Sequence, residues 1–119
     1  MKTSKSLEIA KGYLGKKVQV FFDRPLGAKH PKHGFVYEAN YGYLPGIKSS
    51  DGEDLDAYYL GVSKPLQEAE GICIAIIHRE NDDDKLVVVP KNIKLSDEEI
   101  LKATAFQEKW FKSIIIRKI

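Results

Sequence analysis

Through most of the chain, hydrophobic and polar positions come in short strand-like runs, and a helical period appears only near the end. Val18-Gln19-Val20-Phe21-Phe22, rich in β-branched and aromatic residues, predicts a first strand. Asp23-Arg24-Pro25-Leu26-Gly27 breaks it. Residues 28–34 carry Pro31 among Lys29, His30, Lys32 and His33, which predicts a loop. Gly34-Phe35-Val36-Tyr37 predicts a second strand. Asn40 to Gly46 mixes aromatics with turn formers, and Gly42 and Gly46 allow tight backbone paths there. Ala57 to Val62 predicts a third strand, closed by Ser63-Lys64-Pro65. Gly71 to His78 predicts a fourth, apolar on both faces and therefore central. Leu86 to Val89 predicts a fifth, ended by Pro90.

The last element follows a different rule. Ser96-Asp97-Glu98-Glu99 is a capping box: the Ser96 hydroxyl can accept from the Glu99 N–H, and the Glu99 carboxylate can reach back. Ile100, Ala103, Phe106, Gln107, Trp110 and Phe111 then share one helical face. The β-prone tail Ser113 to Ile119 is expected as an extra strand or an interface segment. Crossover helices are missing between the predicted strands. The expected fold is therefore mainly β (α+β): a small five-stranded OB-like barrel with a C-terminal α-helix against it. With 119 residues the expectation is one domain over 1–119.

Composition narrows the classes. The chain is 43% hydrophobic and 30% charged, as in ordinary soluble proteins. No apolar run approaches the ~20 residues that span a bilayer. The N-terminus lacks an apolar signal core, and the lone Cys73 fits a reducing compartment, so a cytoplasmic protein is expected. A net charge of +2 says little about partners, but its distribution says more. Lys16, Lys17, Arg24, Lys29, Lys32 and Lys48 make the first half basic, and the acidic runs follow.

Those runs carry the candidate chemistry. Asp51-Gly52-Glu53-Asp54-Leu55-Asp56 puts four carboxylates within six residues, and Asp82-Asp83-Asp84 precedes the fifth strand. Carboxylates massed in this way repel one another unless cations lie between them, and Mg²⁺ favours such oxygen sites, completed by substrate phosphates. In an extended segment Asp54 and Asp56 share one face, and a turn at Gly52 would let further acids converge. Lys85 could hold a phosphate oxygen, and Arg24, Lys29, Lys32, His30 and His33 could neutralise an anion. Read blandly, these stretches are acidic and basic loops in solvent. The pattern is not an EF-hand loop, and His30-Pro31-Lys32-His33 lacks the partners of a zinc site. No P-loop, GxSxG, HExxH or dinucleotide fingerprint is present, so hydrolysis here would use metal-activated water.

In order along the chain come Tyr37-x-x-Asn40-Tyr41-Gly42-Tyr43, then Asp51 to Asp56, then Asp83-Asp84-Lys85-Leu86-Val87-Val88-Val89-Pro90, then a helix ending Phe111-Lys112. This succession resembles the soluble, Mg²⁺-dependent inorganic pyrophosphatases of OB-barrel type, over roughly residues 18–112. The resemblance implies hydrolysis of inorganic pyrophosphate to two phosphates. It makes Asp51 and Asp56 metal ligands, and Glu53 both a ligand and the acceptor of a proton from the attacking water. Asp83 falls on a further ligand, and Asp23 on a metal-associated acid. One more expected aspartate falls at His78, or is supplied by Asp82. Tyr41, Lys85 and Lys112 fall on phosphate-binding positions, Lys29 or Lys32 would replace cations of a hairpin this chain lacks, and Arg24 and Lys29 would help neutralise the leaving phosphate. Glu53 stands for the family's aspartate, Asp54 for its proline and Phe111 for a tyrosine.

The resemblance also implies Mg²⁺ as cofactor and a homo-oligomer. Two alternatives remain open: a non-catalytic relative binding a phosphate-containing ligand or nucleotide, and an OB-type nucleic-acid binder. The acidic run beside the presumed site argues against the latter.

Overall fold

A computed structural model describes residues 5–49, 52–80 and 84–118. In chain order it has α1 (Lys5–Lys11), β1 (Lys17–Arg24), β2 (Asn40–Lys48), β3 (Asp54–Tyr59), β4 (Glu68–Arg79), β5 (Asp84–Val89), α2 (Asp97–Glu108) and β6 (Ser113–Arg117). The strands run β1-β2-β3-β5-β4-β6, and a β1–β4 pairing closes the first five into a barrel. β3 and β5 are parallel, and the other pairs are antiparallel.

The length of β4 explains how one strand serves three neighbours. Its first residues pair with β1, from Lys17↔Ile72 to Phe21↔Glu68. Its last residues pair with β6, from Ala75↔Arg117 to Arg79↔Ser113. β5 runs along the other edge, with a register shift between Cys73 and Ala75. The predicted barrel, the predicted fourth strand and the β-prone tail are therefore all present, the tail as the sixth strand.

Period-two patterning sorts the side chains into two cores. Val18, Val20, Phe22, Leu55, Ala57, Leu86 and Val88 fill the barrel interior, capped by Leu7 and Ala10 of α1. Tyr58, Ala75, Ile77, Val87 and Val89 point outward and are covered by Ile100 and Phe106 of α2. This double covering is why all six residues of β5 are buried. Each fully buried Val, Leu or Ile there contributes roughly 1.5–3 kcal/mol. Cys73 is fully buried, and burial pushes its thiol up to about 12.

Three expectations are corrected. Gly34–Tyr37 is no strand; Val36 makes an isolated bridge to Lys29. The second strand is β2, at the residues read as turn formers. Its Gly42 is required by crowding, since a Cβ there would lie 1.8 Å from the Phe21 carbonyl oxygen of β1. The helix stops at Glu108, so Trp110 and Phe111 lie beyond its face, 57% and 39% exposed. The capping box forms in both directions. α1 was not expected from the pattern. Among the described residues, no helix is long and apolar enough to cross a membrane.

Candidate active site

The outward face of the barrel, beside the C-terminal end of α2, collects the polar groups. In β3, Asp54 and Asp56 alternate with buried Leu55 and Ala57 and so point the same way as Tyr58. The parallel register sets Asp56 opposite Lys85 of β5. Lys85 Nζ donates to Asp56 Oδ2 at 2.6 Å, with the lysine side chain 6% exposed and the aspartate 35%. A buried ammonium needs such a partner, because an uncompensated charge costs several kcal/mol. Asp54 is paired instead with Lys48, its neighbour across β2, also at 2.6 Å.

Asp23 and Arg24 end β1 next to this face. Partial burial raises the Asp23 pKa, Arg24 opposes the rise from 3.8 Å away, and the Asp56 charge adds to it. The charge of Asp56, on a different strand, thus adds to what disfavours ionisation of Asp23, a condition a cation between them would relieve. Tyr41 projects from β2 into the same space. Burial, then the charge of Asp56, holds its hydroxyl well above the usual tyrosine range, so it remains a hydrogen-bond donor.

Behind these groups lies a buried network. Arg79 donates to Glu108 from Nε at 2.9 Å and from Nη2 at 2.6 Å, and its guanidinium lies 3.7 Å from the centre of the Phe111 ring. The Tyr58 hydroxyl donates to Glu108 at 2.6 Å and accepts from Gln107 at 2.7 Å, while Gln107 accepts from the Tyr37 hydroxyl at 2.9 Å. Burial pulls the Arg79 pKa down, but its hydrogen bonds to Glu108 and the Glu108 charge outweigh this, and the net shift is upward. Arg79 therefore stays a fixed cation at the wall of a cavity of about 630 Å³ that Asp23, Arg24 and Tyr41 also line. The sequence reading did not single out Arg79 or Glu108. The available signal was one arginine ending a largely apolar strand.

The structure brings Asp23, Arg24, Tyr41, Asp56 and Lys85 together. Lys112 lies past α2 and lines the neighbouring groove with His78 and Glu108, its carbonyl accepting from Glu80 N at 2.8 Å. Lys29 is exposed in its bridge to Val36, away from the cavity lining. Glu53 is exposed in the turn entering β3, where Gly52 takes φ +86°. Asp51, Asp82 and Asp83 lie outside the described residues. Among the described residues, no group of three or more His, Cys, Asp or Glu side chains is spaced to hold a metal ion. Two features nonetheless fit one: the opposed Asp23 and Asp56, and buried Asp84, which bonds His78 through Oδ1 while its Oδ2 has no hydrogen-bond partner among the described residues.

The chain matches the family described as inorganic pyrophosphatase over residues 2–116. No curated protein matches it. Among solved structures, the inorganic pyrophosphatase of Ehrlichia chaffeensis is 15% identical with a TM-score of 0.67, covering 84% of each chain. That of Helicobacter pylori is 20% identical with a TM-score of 0.65, covering 86% of this chain and 85% of its own. That of Coxiella burnetii is 20% identical with a TM-score of 0.61, covering 82% and 78%. At these identities the likeness shows a shared fold.

Proposed function

Because the chain belongs to the inorganic pyrophosphatase family, we propose that it hydrolyses inorganic pyrophosphate to two phosphates with Mg²⁺ as cofactor. The observation that carries this reading is the approach of two carboxylates from different strands, Asp23 and Asp56, beside Arg24 and Tyr41 on one face. Asp56, together with Asp51, Glu53, Asp82 and Asp83, is the set proposed to hold the ions, and Asp23 would assist them. When bound, Mg²⁺ supplies an acidified water and offsets phosphate charge. Glu53 is proposed to take the proton of the attacking water. Arg24 would bind phosphate oxygens, with Arg79 as a second fixed cation, and Tyr41 would donate to one through its hydroxyl. Lys85 is bonded to Asp56 at 2.6 Å, and it would also bind a phosphate oxygen. Lys112 and Lys29 would supply charge from the rim.

The same reading makes all of residues 1–119 one domain, cytoplasmic and homo-oligomeric. The buried lone Cys73 supports the compartment, and exposed Ile114 and Leu101 support the assembly.

Phosphate release from pyrophosphate, measured with millimolar Mg²⁺ and again with chelator, tests the proposal. Release should require the metal. Asp56→Asn should lower it at least about 10²-fold while circular dichroism shows a folded chain. Unchanged turnover in that variant would remove Asp56 from the site.

A further inference from the structure

We propose that the cavity beside Asp23 binds a planar aromatic ring attached to a diphosphate, a nucleoside diphosphate being the chemical class. This rests on the phosphate-handling reading above and extends it to the organic part of the ligand. Pyrophosphate is small and charged throughout, and a container made for it alone would be small and polar. The cavity here encloses about 630 Å³, within the range that holds drug-sized organic ligands.

Its walls differ in chemistry. Asp23, Arg24 and Arg79 supply its charged groups. The same lining holds a row of rings: His33 to His30 at 4.8 Å between centres, His30 to Phe35 at 4.8 Å, and Phe35 to Trp110 at 5.2 Å. Trp110 ends the row more than half exposed, and Phe111, which also lines the cavity, is exposed beside it. The largest apolar side chain is thus kept more than half exposed in a cavity lining, with Lys109 Nζ 4.7 Å from its ring centre.

The ring faces are also suited to stacking. His30 Nδ1 accepts from the backbone N–H groups of Lys32 and His33, both at 3.1 Å, which requires that nitrogen to be unprotonated. Burial and the nearby charges of His33, Arg24 and Lys32 act in the same direction. His30 therefore offers a neutral face, and a base entering the row meets π surfaces, while its diphosphate reaches the arginines. Stacking of a base on aromatic side chains is worth about 1–3 kcal/mol, roughly five-fold to a hundred-fold in affinity.

Trp110 is the one tryptophan in the chain, so intrinsic fluorescence reports on this cavity. The experiment titrates the full chain, with Mg²⁺, with the uncleavable α,β-methylene analogue of ADP and, separately, with methylenediphosphonate, which lacks the ring. The adenine-bearing ligand should quench Trp110 saturably and bind at least about tenfold more tightly. His33→Ala, a change at an exposed position of the cavity lining, should cut that advantage at least about fivefold. Equal affinities for the two ligands, or an advantage untouched by His33→Ala, would overturn the proposal. Pyrophosphate release with equal ligand affinities defeats this inference alone. Tighter adenine-ligand binding without any pyrophosphate release defeats the hydrolysis reading alone.

Discussion

At the scale of single residues, the site depends on charges held where water is scarce. Arg79 and Glu108 are each almost fully buried, and Glu108 also accepts from Tyr58. Replacing one member of such a pair leaves the other uncompensated, at a cost of about 3–5 kcal/mol. Glu108→Gln should therefore lower the urea midpoint sharply, since whole domains have only about 5–15 kcal/mol of stability. The double variant Glu108→Gln, Arg79→Met should recover much of the loss. If the single and double variants unfold alike, the pair is not the source of the cost. Little of this was legible beforehand. The acids and bases were visible along the chain, but Asp56 and Lys85 are 29 residues apart, as are Arg79 and Glu108, and their pairing depends on strand register and helix placement. The capping box was legible because both partners lie within one turn.

At the scale of elements, local chemistry misled where the barrel overrode it. Asn40 to Gly46 has the composition of a turn and the conformation of a strand, because Gly42 lets β1 and β2 approach more closely than any side chain permits. Gly42→Ala would force its Cβ against the Phe21 carbonyl, and the strands must separate. The expected cost is at least about 3 kcal/mol, at the upper end for overpacking, read as a fall in melting temperature. A shift of less than a degree would show that the strands part freely. Conversely, the apolar runs within β4 and β5 were legible because neither face carries a polar residue from Ile72 to Ile77 or from Leu86 to Val89. Trp110 and Phe111 continued the helical period of α2, yet the chain turns after Glu108 and spends them on the cavity.

At the scale of the whole molecule, the site works against the stability of the fold. The raised pKa of Asp23 means that its protonated form suits the fold better. That contribution is fully present below the ordinary aspartate value of 3.8 and is lost as pH rises through the higher folded value. At pH 7 without divalent cations, Asp23→Asn should melt a few degrees above the parent, a modest gain because the side chain is half exposed and screened. The gain should shrink toward pH 4, and millimolar Mg²⁺ should raise the parent more than the variant. Thermal scans across that pH range check both, and a constant difference would dissociate Asp23 from the carboxylate face. The placement of α2 has a consequence for how the molecule comes into being. Every strand that closes the barrel is complete by Val89, whereas Glu108, Trp110 and Phe111 come later in the chain. The nascent chain thus possesses its whole barrel before Arg79 has its carboxylate, and the cavity is walled only after the barrel is made.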